Sequence, residues 1–242
     1  MNTDAFFQGY YMKTINKSLA YFSKAEKLIW GFSAVLITAS FCIFDKSNYL
    51  TLFASLLGIT SIIFNAKGNP AGQVLMIIFS LLYGYISFGF SYYGEMITYL
   101  GMTMPMAVFA LVSWLRHPYK GKKSEVETNR ISKAETAFML LLAVIITVIF
   151  FFLLRVFHTA NIYPSTLSVT TSFIAVYLTF RRNPYFSAAY AANDVVLIAL
   201  WTLASVENSK YISVSICFFA FLINDIYGFI SWKKMEKRQN SN

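Results

Sequence analysis

The stretch that decides the fold is residues 186–232, FSAAYAANDVVLIALWTLASVENSKYISVSICFFAFLINDIYGFISW. It contains two long apolar runs, and each run carries one Asn-Asp pair, Asn193-Asp194 in the first and Asn224-Asp225 in the second. A carboxylate near the middle of a lipid-embedded helix costs roughly 2.5–3.5 kcal/mol on insertion scales, so each one needs a buried or hydrated environment. The two pairs therefore indicate a polar site between membrane helices.

The composition is that of an integral membrane protein. Of the 242 residues, 57% are hydrophobic and 13% are charged, which leaves too little polar surface to cover a soluble domain. A bilayer is spanned by a helix of about 20 apolar residues. Apolar runs near this length occur at 28–44, 49–65, 72–92, 96–115, 136–157, 162–180, 186–205 and 211–232. The sequence therefore predicts an all-α membrane protein with about eight transmembrane helices.

The distribution of basic residues predicts the orientation. The net charge of +9 would suggest nucleic acid as a partner of a soluble chain, but here Lys and Arg lie in short segments between apolar runs. If segment 1–27 is inside, all but three of the 20 Lys and Arg fall on the inner side; Lys46 and Lys210 lie outside and Arg155 lies within a run. The positive-inside rule then places both termini in the cytoplasm, and no nucleic-acid partner is expected.

Short motifs recur on the two sides of a basic segment at 116–135. GNP at 68–70 and RNP at 182–184 each open an apolar run, while VSW at 112–114 and ISW at 230–232 each close one. Three helices and one connecting helix separate the two copies by an even number of crossings, so both copies enter the membrane from the same side. The motifs predict a parallel repeat.

The predicted organisation follows from this repeat. Its parts are a cytoplasmic segment at 1–27, an extra transmembrane helix at 28–44, a three-helix repeat at 49–115, a basic cytoplasmic linker at 116–135, a connecting helix at 136–157, a second three-helix repeat at 162–232 and a basic cytoplasmic tail at 233–242.

Three of the predicted helices present polar and aromatic groups on one side. In the run at 72–92, the polar positions fall within about 80 degrees of each other when each residue turns ~100 degrees. The candidates for substrate binding are Gln73, Tyr83, Asn193, Asp194, Trp201, Asn224, Asp225 and Tyr227. The amides would hydrogen-bond the substrate, Trp201 and Tyr227 would stack on it, and the two Asp would bind a polar edge or fix helix packing.

Other polar and aromatic residues are interpreted as structural. Trp114 and Trp232 border basic segments and are predicted to lie in the interfacial aromatic belt. Glu95 is expected at the outer membrane boundary. Catalytic motifs of the HExxH, GxxxxGK[ST] and GxSxG types are absent from the sequence, so no catalytic residue, metal or cofactor is expected. Two alternatives stay open: an intramembrane aspartyl-type hydrolase built on Asp194 and Asp225, and a scaffold that recruits a partner through the basic linker.

Three stretches resemble the PnuC family of bacterial vitamin transporters. They are NPAGQVLMIIFSLLYGYISFGFSYYGEMITYLGMTMPMAVFALVSWLRHP at 69–118, NPYFSAAYAANDVVLIALW at 183–201 and LINDIYGFISWKKMEKRQ at 222–239. The resemblance covers roughly residues 45–238. It implies a SWEET-like fold of 3+1+3 helices with an additional N-terminal helix, assembled as a homotrimer in the bacterial inner membrane.

The resemblance also implies a function, the facilitated uptake of nicotinamide riboside, which a cytoplasmic kinase then traps by phosphorylation. Family members that carry nicotinamide riboside are described by a WNxxxW motif. Asn193 fits its Asn, whereas Ala192 and Leu197 stand at the two Trp positions and a Trp follows later, at Trp201. Thiamine, riboflavin and deoxyribonucleosides therefore stay open as substrates of the same fold.

Overall fold

The computed structural model describes residues 21–90, 92–159 and 161–241. These residues form eight long helical segments: α1 Lys24–Phe44, α2 Tyr49–Ala66, α3 Ala71–Gly89, α4 Tyr93–Arg116, α5 Lys133–Val156, α6 Ile162–Phe180, α7 Phe186–Ser205 and α8 Ile212–Asn240. Seven of them are long and apolar enough to cross a membrane, and the other, α6, carries six Ser and Thr at 165–172. The prediction of an all-helical membrane protein is confirmed. Most of the predicted N-terminal segment, residues 1–20, lies outside the described residues.

The helices extend beyond the predicted apolar runs where polar groups stabilise their ends. Ser23 accepts a hydrogen bond from the backbone N–H of Glu26, and the Glu26 carboxylate accepts one from the N–H of Ser23, which is a capping box. Ser132 caps α5 in the same way by accepting from the N–H of Glu135. Both helices begin with the same four residues, SKAE, at 23–26 and 132–135.

The same two glutamates also pair with the ends of the helices that follow. Glu26 lies 3.2 Å from Lys67, at the end of α2, and Glu135 pairs with Arg181, at the end of α6. Thus α1 and α5 begin with the same sequence, and the glutamate in the first turn of each pairs with a basic residue at the end of the following helix. The similarity therefore relates two halves of the chain, α1–α4 and α5–α8, and it includes α1, which was predicted to be an extra transmembrane helix.

The loops after α2 and α6 have the same backbone. Gly68 and Arg182 both have positive φ, +67 and +58 degrees. The side-chain oxygens of Asn69 and Asn183 then accept from the backbone N–H two residues further on, at 2.9 and 3.0 Å. These matching turns are the structural counterpart of the GNP and RNP motifs. We call the end of the molecule that carries them the basic end, because Arg116 and the tail of α8 also lie there.

Two tryptophans cross between the halves at the basic end. The indole of Trp114 in α4 donates to the carbonyl of Thr179 in α6 at 2.9 Å, and that of Trp232 in α8 donates to the carbonyl of Asn65 in α2 at 2.7 Å. Both side chains are fully buried and their ring centres are 5.4 Å apart. The prediction of a lipid-facing belt was wrong for both residues, because each indole N–H satisfies a helix-end carbonyl inside the bundle.

The linker between the halves folds onto the basic end. Strands β1 Pro118–Tyr119 and β2 Lys122–Val126 form a hairpin, although the linker was predicted only as a basic cytoplasmic segment. Its tip, Lys120-Gly121, has positive φ at both positions, as a two-residue type I′ turn requires. The linker reaches both halves, because Val126 donates its N–H to the carbonyl of Gly68 and Asn129 donates its N–H to that of Arg182.

Helix α4 changes its winding in the middle. The chain is α-helical at Tyr93–Thr98, forms a π-helical turn at Tyr99–Thr103 and returns to α-helix at Met104–Arg116. Pro105 follows the wide turn, and its ring lacks an N–H and would clash with a regular preceding carbonyl. The wide turn directs Tyr99 and Thr103 toward the centre of the bundle.

Candidate functional site

The two intramembrane carboxyl groups meet at the centre of the bundle. Asp194 on α7 and Asp225 on α8 have exposed fractions of 3% and 4%, and their side chains are in direct contact. This contact follows from the hairpin that α7 and α8 form, which brings the middle of one helix against the middle of the other. Among the described residues, Asp194 Oδ2 has no hydrogen-bond partner.

The carboxyl pair lines a small cavity of about 30 Å³, which has room for about one water molecule. Six helical segments from both halves contribute to its walls. The polar lining residues are Asn65, Thr103, Ser172, Asn193, Asp194 and Asp225. The aromatic lining residues are Phe79, Tyr99, Phe186, Tyr190, Phe218 and Phe221. The cavity therefore combines carboxyl and amide groups with the faces and edges of rings.

Two amide groups are oriented by neighbouring helices. The Oδ1 of Asn193 accepts hydrogen bonds from Thr171 at 2.7 Å and from Ser172 at 3.1 Å. On the opposite wall, Gln73 Nε2 donates to the Oδ1 of Asn65 at 2.9 Å. Asn65 reaches the cavity, whereas Gln73, at 1% exposure, lies behind it. Gln73 thus orients a cavity residue without lining the cavity itself.

An aromatic cluster closes the cavity toward the end opposite the basic end. We define the Trp201 cluster as Tyr83, Phe90, Tyr92, Trp201 and Tyr211. The indole of Trp201 donates to the hydroxyl of Tyr83 at 2.8 Å, and its ring centre lies 4.6 Å from that of Tyr92. A second cavity of about 10 Å³ lies beside this cluster, and Phe79 and Phe218 line both cavities.

Of the eight residues predicted from sequence, five do not line this cavity: Gln73 lies behind it, Tyr83 and Trp201 line the second cavity, and Asn224 and Tyr227 face α1. Asn224 donates to Ser33 of α1 at 2.7 Å, and Tyr227 donates to Glu26 of α1 at 3.2 Å. Consecutive residues of a helix point about 100 degrees apart. Because Asp225 faces the cavity, its neighbour Asn224 faces α1. The structure therefore brings Asn193, Asp194 and Asp225 together and leaves Asn224 and Tyr227 at the contact between α8 and α1.

Sequence reasoning missed several cavity residues and one buried acid. Asn65 stands near the end of an otherwise apolar run, which was the available signal, whereas the π-helical turn that directs Tyr99 inward had no clear signal. Glu95, expected at the membrane boundary, is only 1% exposed and accepts a hydrogen bond from Ser168 at 3.0 Å. It lies between α4 and α6, outside the lining of the cavity.

Helices long enough to cross a membrane surround a small cavity lined by polar and aromatic side chains. These features define a class, the multi-pass transporters of small molecules, whose substrate sites lie near the bilayer midplane between helical bundles. The family model of the nicotinamide mononucleotide transporters matches residues 48–234, and the chain belongs to that family. The resemblance to PnuC proteins is confirmed, and the protein is a membrane transporter rather than an enzyme.

Curated relatives and a solved structure agree with this assignment. The chain is 26% identical over 217 residues to the nicotinamide riboside transporter PnuC of Neisseria mucosa, covering 88% of this chain and 82% of the relative. It is 23% identical over 197 residues to the protein of the same name from Haemophilus influenzae, covering 80% and 83%. The fold matches a crystal structure of the vitamin B3 transporter PnuC with a TM-score of 0.79, at 22% identity over 90% of this chain and 94% of that one.

Proposed function

We propose that the protein takes up nicotinamide riboside by facilitated diffusion across the bacterial inner membrane, and that a cytoplasmic kinase then traps it by phosphorylation. The observation that carries this proposal is the central cavity, where amide and carboxyl groups lie among aromatic rings at the interface of the two halves. Such walls suit a flat ring attached to a sugar. The names of the two relatives, each covered over more than four fifths of its length, agree with the proposal.

The described state has no room for the substrate. Small-molecule sites usually have volumes of about 300–1,000 Å³, whereas this cavity measures about 30 Å³. We therefore assign the structure to a closed state of an alternating-access cycle. Rotation of Phe79 and Phe218, which separate the two cavities, would merge them into one larger space. The crossed tryptophans would close the site at the basic end and the Trp201 cluster at the other end.

The proposed topology is that of two parallel three-helix repeats at 49–115 and 162–232, joined by the helix at 136–157. The matching loops after α2 and α6 and the crossed tryptophans support it. We propose that both termini lie in the cytoplasm, because the basic residues concentrate at the end where α1 begins and α8 ends. By the same resemblance we propose a homotrimer.

Within this cycle the candidate residues have different roles. Asn193, Asp194 and Asp225 would contact the substrate, and Gln73 would act by orienting Asn65. Tyr83 and Trp201 would close the site. Asn224 and Tyr227 would hold α8 against α1 through their hydrogen bonds to Ser33 and Glu26.

The cavity is lined by aromatic rings even though this chain lacks the two tryptophans of the WNxxxW motif. Ala192 is exposed on the surface of α7, so a Trp at that position would point away from the site. Leu197 is fully buried one turn from Trp201, and the residue at the equivalent place in α3 is Tyr83. The aromatic groups of this site therefore come from other positions. Thiamine, riboflavin and deoxyribonucleosides remain the alternatives that an experiment must separate.

Ligand binding to the purified protein tests the proposal. Titration calorimetry with nicotinamide riboside, thiamine, riboflavin and a deoxyribonucleoside should show binding of the first. Asn193→Ala should weaken that binding about tenfold or more, because it removes a buried hydrogen-bonding group. Val195→Ala is the matched control, since Val195 lies on the same helix and faces lipid with 55% exposure. Unchanged affinity in Asn193→Ala, or binding of another of the four ligands alone, would contradict the assignment.

A further inference from the structure

No basic side chain of the described residues accompanies the carboxyl pair in the cavity. Asp194 and Asp225 are in contact and buried, and Asp194 Oδ2 lacks a partner among the described residues. Of the described residues that line the cavity, none is Lys, Arg or His. The ion pairs found in the described parts of the chain all lie at the basic end. The pair thus has acceptor capacity and no protein cation to satisfy it.

Such a pair is complementary to a positive ligand. Buried carboxylates are normally paired with a cation or a metal, and two that share a site repel each other when both are ionised. In the empty site the two carboxyl groups relieve this repulsion by sharing a proton in a hydrogen bond, and a cation that enters can take the place of that proton, which leaves to water. The aromatic walls add to this, since a cation close to the face of a ring is attracted by the ring quadrupole. Tyr190 and Phe221 belong to the same lining as the two carboxyl groups.

We propose that this cavity selects its substrate by positive charge, so that its ligand is an aromatic cation whose ring charge is balanced by Asp194 and Asp225. This inference rests on the proposed function and narrows it. The pyridinium ring of nicotinamide riboside and the thiazolium ring of thiamine carry a positive charge, whereas riboflavin and deoxyribonucleosides are neutral. The aspartates thereby take a defined role, the neutralisation of a ring that must leave water to enter the bundle.

The test compares two ligands of almost identical shape. Dihydronicotinamide riboside, the reduced form, has the same heavy atoms as nicotinamide riboside but a neutral ring. Calorimetry on the purified full chain should show that the oxidised cation binds at least about tenfold more tightly. Asp194→Asn and Asp225→Asn should each reduce this ratio toward one, mainly by weakening binding of the cation. Asp45→Asn, a buried carboxylate between α1 and α2, should leave the ratio unchanged.

The possible outcomes separate the inference from the function on which it rests. Equal affinities of the two forms in the wild-type protein would overturn the charge proposal and leave riboside transport standing. A preference that survives both Asn variants would overturn the assignment to the aspartates. Binding of neither form would overturn the proposed function and this inference with it.

A second comparison needs no variant that could fail to fold. In competition with nicotinamide riboside on the wild-type protein, the cation 1-methylnicotinamide should displace the riboside, while neutral nicotinamide should be at least about tenfold weaker. Equal competition by the two would contradict the proposal.

Discussion

Tyr83→Phe would remove the hydroxyl that accepts the indole N–H of Trp201 while keeping the ring in place. Both side chains are buried, so the closed state would then hold an unsatisfied donor, which costs about 1–3 kcal/mol. When the Trp201 cluster opens, water can satisfy that donor and the cost disappears. A change of ~1.4 kcal/mol is tenfold in an equilibrium constant. We therefore expect Tyr83→Phe to raise the open population about tenfold.

A natural cysteine reports this opening. Cys217 is 5% exposed and lines the second, smaller cavity together with Tyr83 and Trp201. A maleimide therefore reaches its thiol only when the Trp201 cluster opens. In a Cys42→Ser background, which removes the exposed second thiol, the modification rate measured by mass spectrometry should rise about tenfold in Tyr83→Phe. Where opening is fast, the rate follows the open population.

The control for this measurement is Tyr85→Phe, on the same helix with 67% exposure, which should leave the rate of modification unchanged. Equal rates in Tyr83→Phe and Tyr85→Phe would refute the reasoning, since the Trp201–Tyr83 hydrogen bond would then not hold the cluster closed. Both rates should be measured well below the melting temperature of each variant, so that global unfolding does not contribute. Binding of nicotinamide riboside should favour the closed cluster and so slow the modification of Cys217.

Three further changes have defined expectations. Gly58→Ala should destabilise the protein by about 1–3 kcal/mol, because the added Cβ would lie 2.2 Å from the ring of Phe221. Gly31→Ala is the control, since an added Cβ there would have no atom within 4 Å and should not destabilise the protein. Thermal unfolding in detergent compares the two variants. Trp232→Phe should lower the melting temperature by removing the donor to the end of α2; an unchanged value would argue against the crossed arrangement. Burial raises the pKa of Asp45, and the charge of Lys210 partly offsets this increase. Because the pKa is higher in the folded protein than in the unfolded chain, the ionised carboxylate makes the folded protein less stable as the pH rises above about 4. Asp45→Asn should therefore raise the melting temperature at pH 7 but not near pH 4.

The helices were predictable because the membrane imposes a simple rule on sequence. In lipid every backbone polar group must be satisfied within the segment, so each span is a continuous apolar helix that sequence reveals directly. The ends are decided by other forces. Helix α1 begins at Lys24, before the apolar run, because Ser23 and Glu26 cap it, and α8 continues to Asn240 beyond the predicted end at 232. Side-chain capping and ion pairs outside the lipid do not appear in a hydropathy pattern.

The candidate site was predictable only on helices with one polar face. On α7 the residues Asn193, Asp194 and Trp201 are all buried; the first two line the central cavity and Trp201 lines the second cavity beside it. Helix α8 is packed on two sides, with the cavity on one and α1 on the other. Both sides of α8 therefore meet protein, and sequence could not tell that Asp225 faces the cavity while Asn224 faces α1. Periodicity shows which residues share a face, but only tertiary packing shows what the face meets.

The two halves are alike at the basic end and differ at the cavity. Aligned on their Asn-Pro pairs, α3 has Ser80 where α7 has Asp194, and aligned on their Ser-Trp pairs, α4 has Ala107 where α8 has Asp225. The carboxyl groups of the cavity therefore come from the second half alone, while the first half contributes Asn65, Thr103 and aromatic rings. A flat ligand held between the halves would meet carboxyl groups on one side and an amide with aromatic groups on the other. The lining of the cavity therefore distinguishes the two halves, whereas the loops and tryptophans at the basic end are nearly equivalent in both. The carboxyl groups of Asp194 and Asp225 would then set the orientation of the ligand, whereas the similar helix ends of the two halves would serve the opening and closing of the site.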